Sequence, residues 1–483
     1  MATNHSEADP TLVQLSTATT PGHTHVGNLT EASAKKASEL LTVNHSSYHT
    51  RWKGTFHNHL THHLLSLWAL GATPGQIQDM WEYNTPYQTS MERSDKADKE
   101  QRLDLKDPQV FEQCLGKDEC YVDFLQFFEE ELRAKGMRAV VEEYVLKGDE
   151  RADDIFCRMY TDLVHPMIHL GCGLEFNQPS IVAEALAGAC VHANWPKDFL
   201  LPTESYVRSK KDAPIKPLLQ ILEELRKDPV ITNGVKATDP FNKIPDGFLK
   251  RVTAKDLVLY LSQVQVKPEP EDLQRKLGDM MFTNTYVMGA AQQPGKLEAM
   301  DFVLLHTVTL AVFYPAILAL DWISDANKAR LLEAKARVDI VMYAGCGSPQ
   351  LFPERVLNYI PRQPNDNWPE LFQRSIVYRD EGHLAKVVRA LYSLEQLDER
   401  YVPELPIRKQ DFIKITHMAL DSAERAIAPN GNLMPEQVVK DVAGGVGFGG
   451  EMVTDNLKRF VFYGGLDQAW RYVPDKEGTA VEP

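Results

Sequence analysis

The stretch Phe56-His57-Asn58-His59-Leu60-Thr61-His62-His63-Leu64-Leu65 sets four histidines into seven residues of a segment with helical apolar spacing. At that period His59, His63, Leu67 and Leu70 share one stripe, so the face meant for a core also carries imidazoles. Burying an unpaired polar ring costs roughly a few kcal/mol. Such a segment folds only where other parts of the chain bring it partners. Imidazole is also the commonest metal ligand and the side chain that titrates near neutral pH. The cluster therefore points to chemistry, with core histidines bonded to backbone carbonyls as the plain alternative.

The rest of the chain reads as helices. Gly71 closes the histidine helix, and Thr73-Pro74-Gly75-Gln76 is a capping box that opens Ile77–Tyr83. Helical spacing continues over Tyr121–Val145 and over Asp154–Leu170 and Ser180–Ala193. The last two are separated by Gly171, Gly173 and Asn177-Gln178-Pro179. Leu218–Arg226, Leu273–Met281, Ala326–Tyr343, Gly382–Leu397 and Lys409–Ala428 follow the same pattern. Alternating Val/Ile/Thr runs bounded by tight turns are rare, so few or no strands are expected. The expectation is a mainly α fold: a single large helical domain over residues 41–470, with a metal site in its helical core. Residues 1–40 read as a disordered or loosely attached arm, 205–271 as a lid or surface insertion rich in charge and proline, and 471–483 as a tail.

Composition excludes several classes. A net charge of −15 without a dense Lys/Arg block argues against nucleic-acid or anionic-membrane partners, which need basic patches. The run from Phe302 to Leu320 is uncharged and close to a spanning length, but Pro315 breaks it and Asp301 and Asp321 clamp its ends. It reads as a buried helix pair, which makes His306 within it informative. Cys114, Cys120, Cys157, Cys172, Cys190 and Cys346 form no CxxC pair and read as buried thiols of a reduced compartment, so a cytoplasmic location is expected.

Three more segments place histidines as the first does. His165 and His169 are four apart on an apolar helix, His306 lies in the apolar run, and His383 and Lys386 are three apart on a fourth helix. Four apolar helices each presenting a histidine is how a helical bundle builds a metal site. Lacking HExxH and cysteine pairs, the set suits non-haem iron and oxygen chemistry. A zinc-dependent hydrolase is the competitor. A di-iron centre ranks third, because Asp162-x-x-His165 and Asp380-x-x-His383 imitate the bundle motif with the wrong acid. A non-catalytic helical scaffold with structural histidines is the remaining class. The glycine run Gly444–Gly450 contains GxGxxG, but a helix-like segment precedes it where a dinucleotide fold needs a strand.

Together these motifs resemble the questin oxidase-like family of fungal polyketide pathways. The resemblance rests on Asn58-His59-x-x-His62-His63 with Leu70-Gly71-Ala72, and on His165-Pro166-x-Ile168-His169-Leu170-Gly171 with Glu175 and Glu184-Ala185-Leu186. His306-x-Val308-Thr309 and Asp380-Glu381-x-His383-x-x-Lys386 complete it. The resemblance implies an oxidoreductase that opens the central ring of an anthraquinone such as questin to a benzophenone, with O2 as co-substrate. Such enzymes have been described as NADPH-dependent Baeyer–Villiger monooxygenases, yet this chain lacks flavin and nucleotide fingerprints. The resemblance implies instead a mononuclear non-haem Fe(II) held by His59, His165, His306, His383 and a carboxylated Lys386, with NADPH at most an external reductant. Within the first cluster, His62 or His63 competes with His59 for the ligand place. Carboxylation gives Lys386 physical sense, since an ammonium has no lone pair and a carbamate offers a carboxylate-like oxygen. His63, His169 and Glu175 are the candidates for proton transfer or for orienting the ligands.

Overall fold

The computed structural model describes residues 8–52, 56–91, 103–210, 214–428, 433 and 458–476. The fold is mainly α, with one antiparallel two-stranded ribbon, β1 (Arg51–Trp52) and β2 (Phe56–His57), among the described residues. The helices gather into two compact units. The first holds the chain up to Lys197 together with Phe313–Ser324, and the second holds Asp198–Val312 and the chain from Asp325 onward.

In the first unit, α1 (Glu31–Ser47) starts at Thr30, whose side chain accepts from the amide of Ser33. After the ribbon, Asn58 fixes the entry to α2 (Leu60–Ala69). Its Oδ1 accepts from Leu60 N at 3.0 Å, while its Nδ2 donates to Asn44 Oδ1 at 2.9 Å. Every residue of α2 is buried, histidines included. The expected capping box is present: Thr73 and Gln76 exchange hydrogen bonds at the start of α3 (Pro74–Asn84). The helix α4 (Tyr121–Val141) bends at Gly136, whose φ is +80°.

The segment expected to be one helix from Asp154 to Leu170 is broken. A helix covers Glu150–Arg158, and Asp162, Leu163 and Val164 then take φ of 49°, 52° and 61° before α5 (His165–Glu175) begins. Left-handed backbone costs an L-residue roughly 1–2 kcal/mol, so the turn persists only because its surroundings hold it. α5 instead runs through Gly171 and Gly173. At Gly173 it passes so close to α6 (Pro179–Val191) that a Cβ would stand 2.9 Å from the Val182 nitrogen. This close approach carries Glu184 of α6 against the face of α5.

Residues 8–30 are anchored, although a loosely attached arm was expected there. Gln14 exchanges two backbone hydrogen bonds with the Gln178 side chain, Ser180 Oγ donates to Leu12 O, and Val13 and Leu15 are buried. Scattered apolar residues in a polar stretch carry too weak a pattern to announce this docking.

In the second unit, α7 (Pro270–Ala290) packs against α8 (Phe302–Ala311), α9 (Asp325–Gly345) and α11 (Phe412–Ile427), and α8 also packs against α10 (His383–Glu395). Asp301 caps α8 by accepting from Val303 N and Leu304 N, and its second oxygen accepts from Gly464 N at 2.6 Å. A buried Lys335–Asp339 pair on α9 ties this layer together: Lys335 donates to Thr307 O, and Asp339 accepts from Asn284 of α7. Residues 205–271 are woven into this unit where a lid or surface insertion was expected. Leu218, Ile221, Leu222, Leu225, Leu257 and Leu261 are buried, and Arg337 donates to Leu261 O and Val264 O. The segment's charge reflects its outer faces, while its inner apolar residues dock on α7 and α9.

Phe302–Ala319 is long and apolar enough to span a bilayer, and 89% of it is buried within the structure. It is split as expected, with a second helix over Tyr314–Ala319. The six cysteines are all buried. The glycine run Gly444–Gly450 lies outside the described residues, as do residues 477–483 of the expected tail. The beginning of that tail is held, with Leu297 N donating to Pro474 O and Lys476 N to Gly295 O.

Candidate metal centre

Two pairs of buried imidazoles emerge, one in each unit. In the first unit His59 stands at the N-cap of α2 and His165 is the first residue of α5. Their Nε2 atoms are 2.9 Å apart. The left-handed turn explains the placement, because it folds the carbonyl of Asp162 back onto His165 Nδ1. The Asp162 carboxylate is fastened in turn by His192 Nε2 at 3.2 Å. Burial pushes this carboxyl up, but the hydrogen bond and charge of His192 outweigh it and hold it at about 2. A Nδ1–H given to a carbonyl leaves Nε2 of His165 as the nitrogen with a lone pair, the tautomer a metal ligand needs.

The second unit repeats the device. His306 lies inside α8, fully buried, and its Nδ1 meets Phe302 O at 2.6 Å, which again assigns the lone pair to Nε2. His383 is the first residue of α10 and follows Gly382 at φ +83°. Asp380 holds this helix start by accepting from Gly382 N at 2.6 Å and Leu384 N at 2.9 Å. The His306 and His383 rings are 5.2 Å apart, with ligand nitrogens within 4.8 Å of one another. The Phe302 ring packs on both, 4.7 Å from His306 and 4.9 Å from His383, and Phe460 and Phe462 extend this aromatic wall.

Lys386 follows His383 by three residues and is 1% exposed. Burial at that level removes the reading of a solvated helix lysine and favours a lysine with work to do in the core.

The remaining candidates separate. His62 points to His169, with 3.1 Å between Nε2 and Nδ1, and His63 faces Asn84 of α3. Among the three competitors in the first cluster, His59 is therefore the one whose nitrogen meets that of His165. Glu175, a candidate for proton transfer or for orienting the ligands, accepts from the backbone amides of His23 and Thr24 in the N-terminal segment. His169 gives its Nε2 side to Glu184 Oε2 at 2.6 Å, and Glu184 Oε1 meets His45 Nδ1 at 2.7 Å. Burial pushes the Glu184 carboxyl up, and hydrogen bonds from His169 and His45 prevail, holding it at about 2. His57 completes this cluster, and burial together with the neighbouring rings keeps its pKa well below the usual imidazole value. The roles of Glu184, His45 and His57 were missed from sequence. The available signal was one carboxylate, Glu184, in the otherwise apolar run SIVAEALAGACV.

A mainly α chain with buried histidine clusters that could hold a metal is the class that the fold and the site define. The chain belongs to the questin oxidase-like family, whose model matches residues 56–391. It is 42% identical over 475 residues to the oxidoreductase AflY of Aspergillus parasiticus, covering 98% of this chain and 95% of that one. It is 34% identical over 413 residues to a questin oxidase of Aspergillus terreus, covering 83% and 91%. A Baeyer–Villiger monooxygenase, dmxR6 of Cryptosporiopsis, is also 34% identical, over 82% of this chain and 90% of that one. The protein is an oxidoreductase.

Proposed function

We propose that the protein is a non-haem Fe(II) oxygenase that opens the central ring of an anthraquinone or anthraquinol to a benzophenone in fungal secondary metabolism, with O2 as oxidant. His59, His165, His306 and His383 serve as ligands, and a carboxylated Lys386 supplies the oxygen donor. The observation that carries this reading is the tautomer of His165 and His306. Each gives Nδ1 to a backbone carbonyl and so presents a Nε2 lone pair in the core. Neutral nitrogen donors with one hard oxygen suit iron(II) better than the thiolate-rich sets of structural zinc. The names of the relatives support the substrate class and the oxygen-insertion outcome.

Bound there, iron(II) supplies the one-electron chemistry that lets O2 react with a closed-shell aromatic. The chain's own residues do the rest. Asp162 O and Phe302 O orient His165 and His306, Asp380 fixes the start of α10, and the rings of Phe302, Phe460 and Phe462 offer an apolar wall suited to a flat aromatic. NADPH enters this scheme as an external reductant of the quinone.

The test is anaerobic reconstitution of chelator-stripped protein with Fe(II) or Zn(II), followed by turnover of questin with and without O2 and NADPH. Activity restored by iron and dependent on O2 is expected. Full activity with stoichiometric zinc and no gain from iron would replace the oxygenase with a zinc hydrolase.

A further inference from the structure

One ring away from the His59–His165 pair, His57, His62 and His169 converge inside the first unit, all buried, with ligand nitrogens within 4.8 Å of one another. They come from β2, α2 and α5. His169 Nδ1 lies 3.1 Å from His62 Nε2 and 3.4 Å from His57 Nε2. The far side of His169 is committed, because Nε2 donates to the Glu184 carboxylate at 2.6 Å. Its Nδ1 therefore turns a single lone pair inward. One lone pair accepts one strong N–H bond, yet two ring nitrogens are aimed at it. A cation among the three nitrogens satisfies the geometry differently, by taking one lone pair from each. The spacings agree with that arrangement, since tetrahedral ligands at about 2.05 Å from a metal lie about 3.3 Å from one another.

The surroundings of His169 have the form of a built site. Metal-bound imidazoles characteristically pass their other N–H to a carboxylate that fixes the ring and strengthens its donation. Glu184 is that carboxylate, and it is itself held by His45 at 2.7 Å and Thr61 at 3.3 Å. His45 is braced on its other side by Glu129 at 2.9 Å. Such a chain of buried partners fixes a donor nitrogen to the accuracy a metal requires.

We propose that His57, His62 and His169 form a second cation site, distinct from the candidate iron centre, which takes a borderline divalent ion of the zinc type. Its ligands tie β2, α2 and α5 together. These elements also carry or adjoin His59 and His165, so the cation rigidifies that pair. The assignment makes His169 a ligand, where proton transfer or orientation of the ligands was expected of it. It stands on the first unit alone and does not depend on the oxygenase reading.

The test uses the full-length protein stripped with chelator, dialysed against Zn(II) or Co(II) and assayed by elemental analysis and circular dichroism. Two equivalents per chain are expected in the wild type. His169→Gln and His62→Gln should each lose one equivalent with helical content unchanged, and should retain the equivalent that His306→Ala removes. Loss of binding in the His306 variant alone would leave the iron centre standing and overturn the second site. A drop only in the His62 and His169 variants would do the opposite. Crystals of zinc-loaded wild type decide the matter without any variant. An anomalous peak within bonding distance of the three nitrogens is expected, and its absence refutes the site.

Discussion

The Nε2 atoms of His59 and His165 stand 2.9 Å apart, although 106 residues of chain separate them. Two neutral rings at this distance share one proton, or both lend lone pairs to a cation. Ligands at right angles around a metal, each about 2.1 Å from it, are about 3.0 Å apart, so the pair has the spacing of adjacent ligands. The His165 tautomer, set by Asp162 O, presents the Nε2 lone pair that either arrangement uses.

Replacing His165, His306 or His383 with alanine should abolish turnover and strip bound iron while far-UV circular dichroism stays near wild type. Each ring is buried where an alanine leaves the helix intact but removes a donor. Near wild-type turnover in two of the three variants would remove them from the ligand set.

Lys386→Ala and Lys386→Arg should both lose activity. Guanidinium can neither be carboxylated nor donate a lone pair, so arginine sets a permanent charge beside the cation. After preparation at low CO2, bicarbonate should reactivate the wild type and leave both variants unchanged. Full activity in Lys386→Arg would end the ligand role of this lysine.

Gly382→Ala should lower stability by about 1 kcal/mol and weaken iron retention, because alanine at φ +83° strains the turn that starts α10 at His383. Gly148 has φ +75° with open space around it, so Gly148→Ala is the matched control. It should show a similar stability loss in urea melts with iron content unchanged. Equal iron retention in both variants would mean that the Gly382 turn does not set the His383 donor.

Acid should destabilise the second unit through Asp421. This carboxylate is buried and accepts from Tyr359 Oη, Arg362 N and Arg374 Nη2 at 2.6, 2.9 and 2.6 Å. Burial pushes its pKa up, but the amide of Arg362 and the side chains of Tyr359 and Arg374 outweigh that and hold it below the usual carboxylate value. With the folded pKa below the unfolded value of about 3.9, the contribution is complete above that pH and is lost as pH falls through the folded pKa. Asp421→Asn should cost about 3 kcal/mol at pH 7 and flatten the decline below about pH 4. Parallel acid slopes in urea melts of the two proteins would assign the decline to other groups.

Helices were legible wherever an apolar period met a cap. Thr73-Pro74-Gly75-Gln76 opens α3 as its residues dictate, and Pro315 divides the long apolar run into two helices. The break at Asp162–Val164 was not legible, because leucine and valine have no preference for left-handed backbone and take it only under tertiary constraint. The docking of residues 8–30 and the burial of Leu218, Ile221, Leu222 and Leu225 were hidden for a related reason. Short or heavily charged segments reveal an inner face only when another surface covers it.

By itself the sequence determined the helical class and the supply of core imidazoles, since periodicity and residue type are local properties. Which nitrogens meet was decided by the tertiary structure. Neighbouring side chains on a helix point about 100° apart, so period alone cannot say whether His59, His62 or His63 meets His165. Nor can it show that Glu184 reaches His169, which depends on how closely α5 passes α6 at Gly173. A donor set is defined to a few tenths of an ångström, and only packing between segments far apart in the chain fixes distances on that scale.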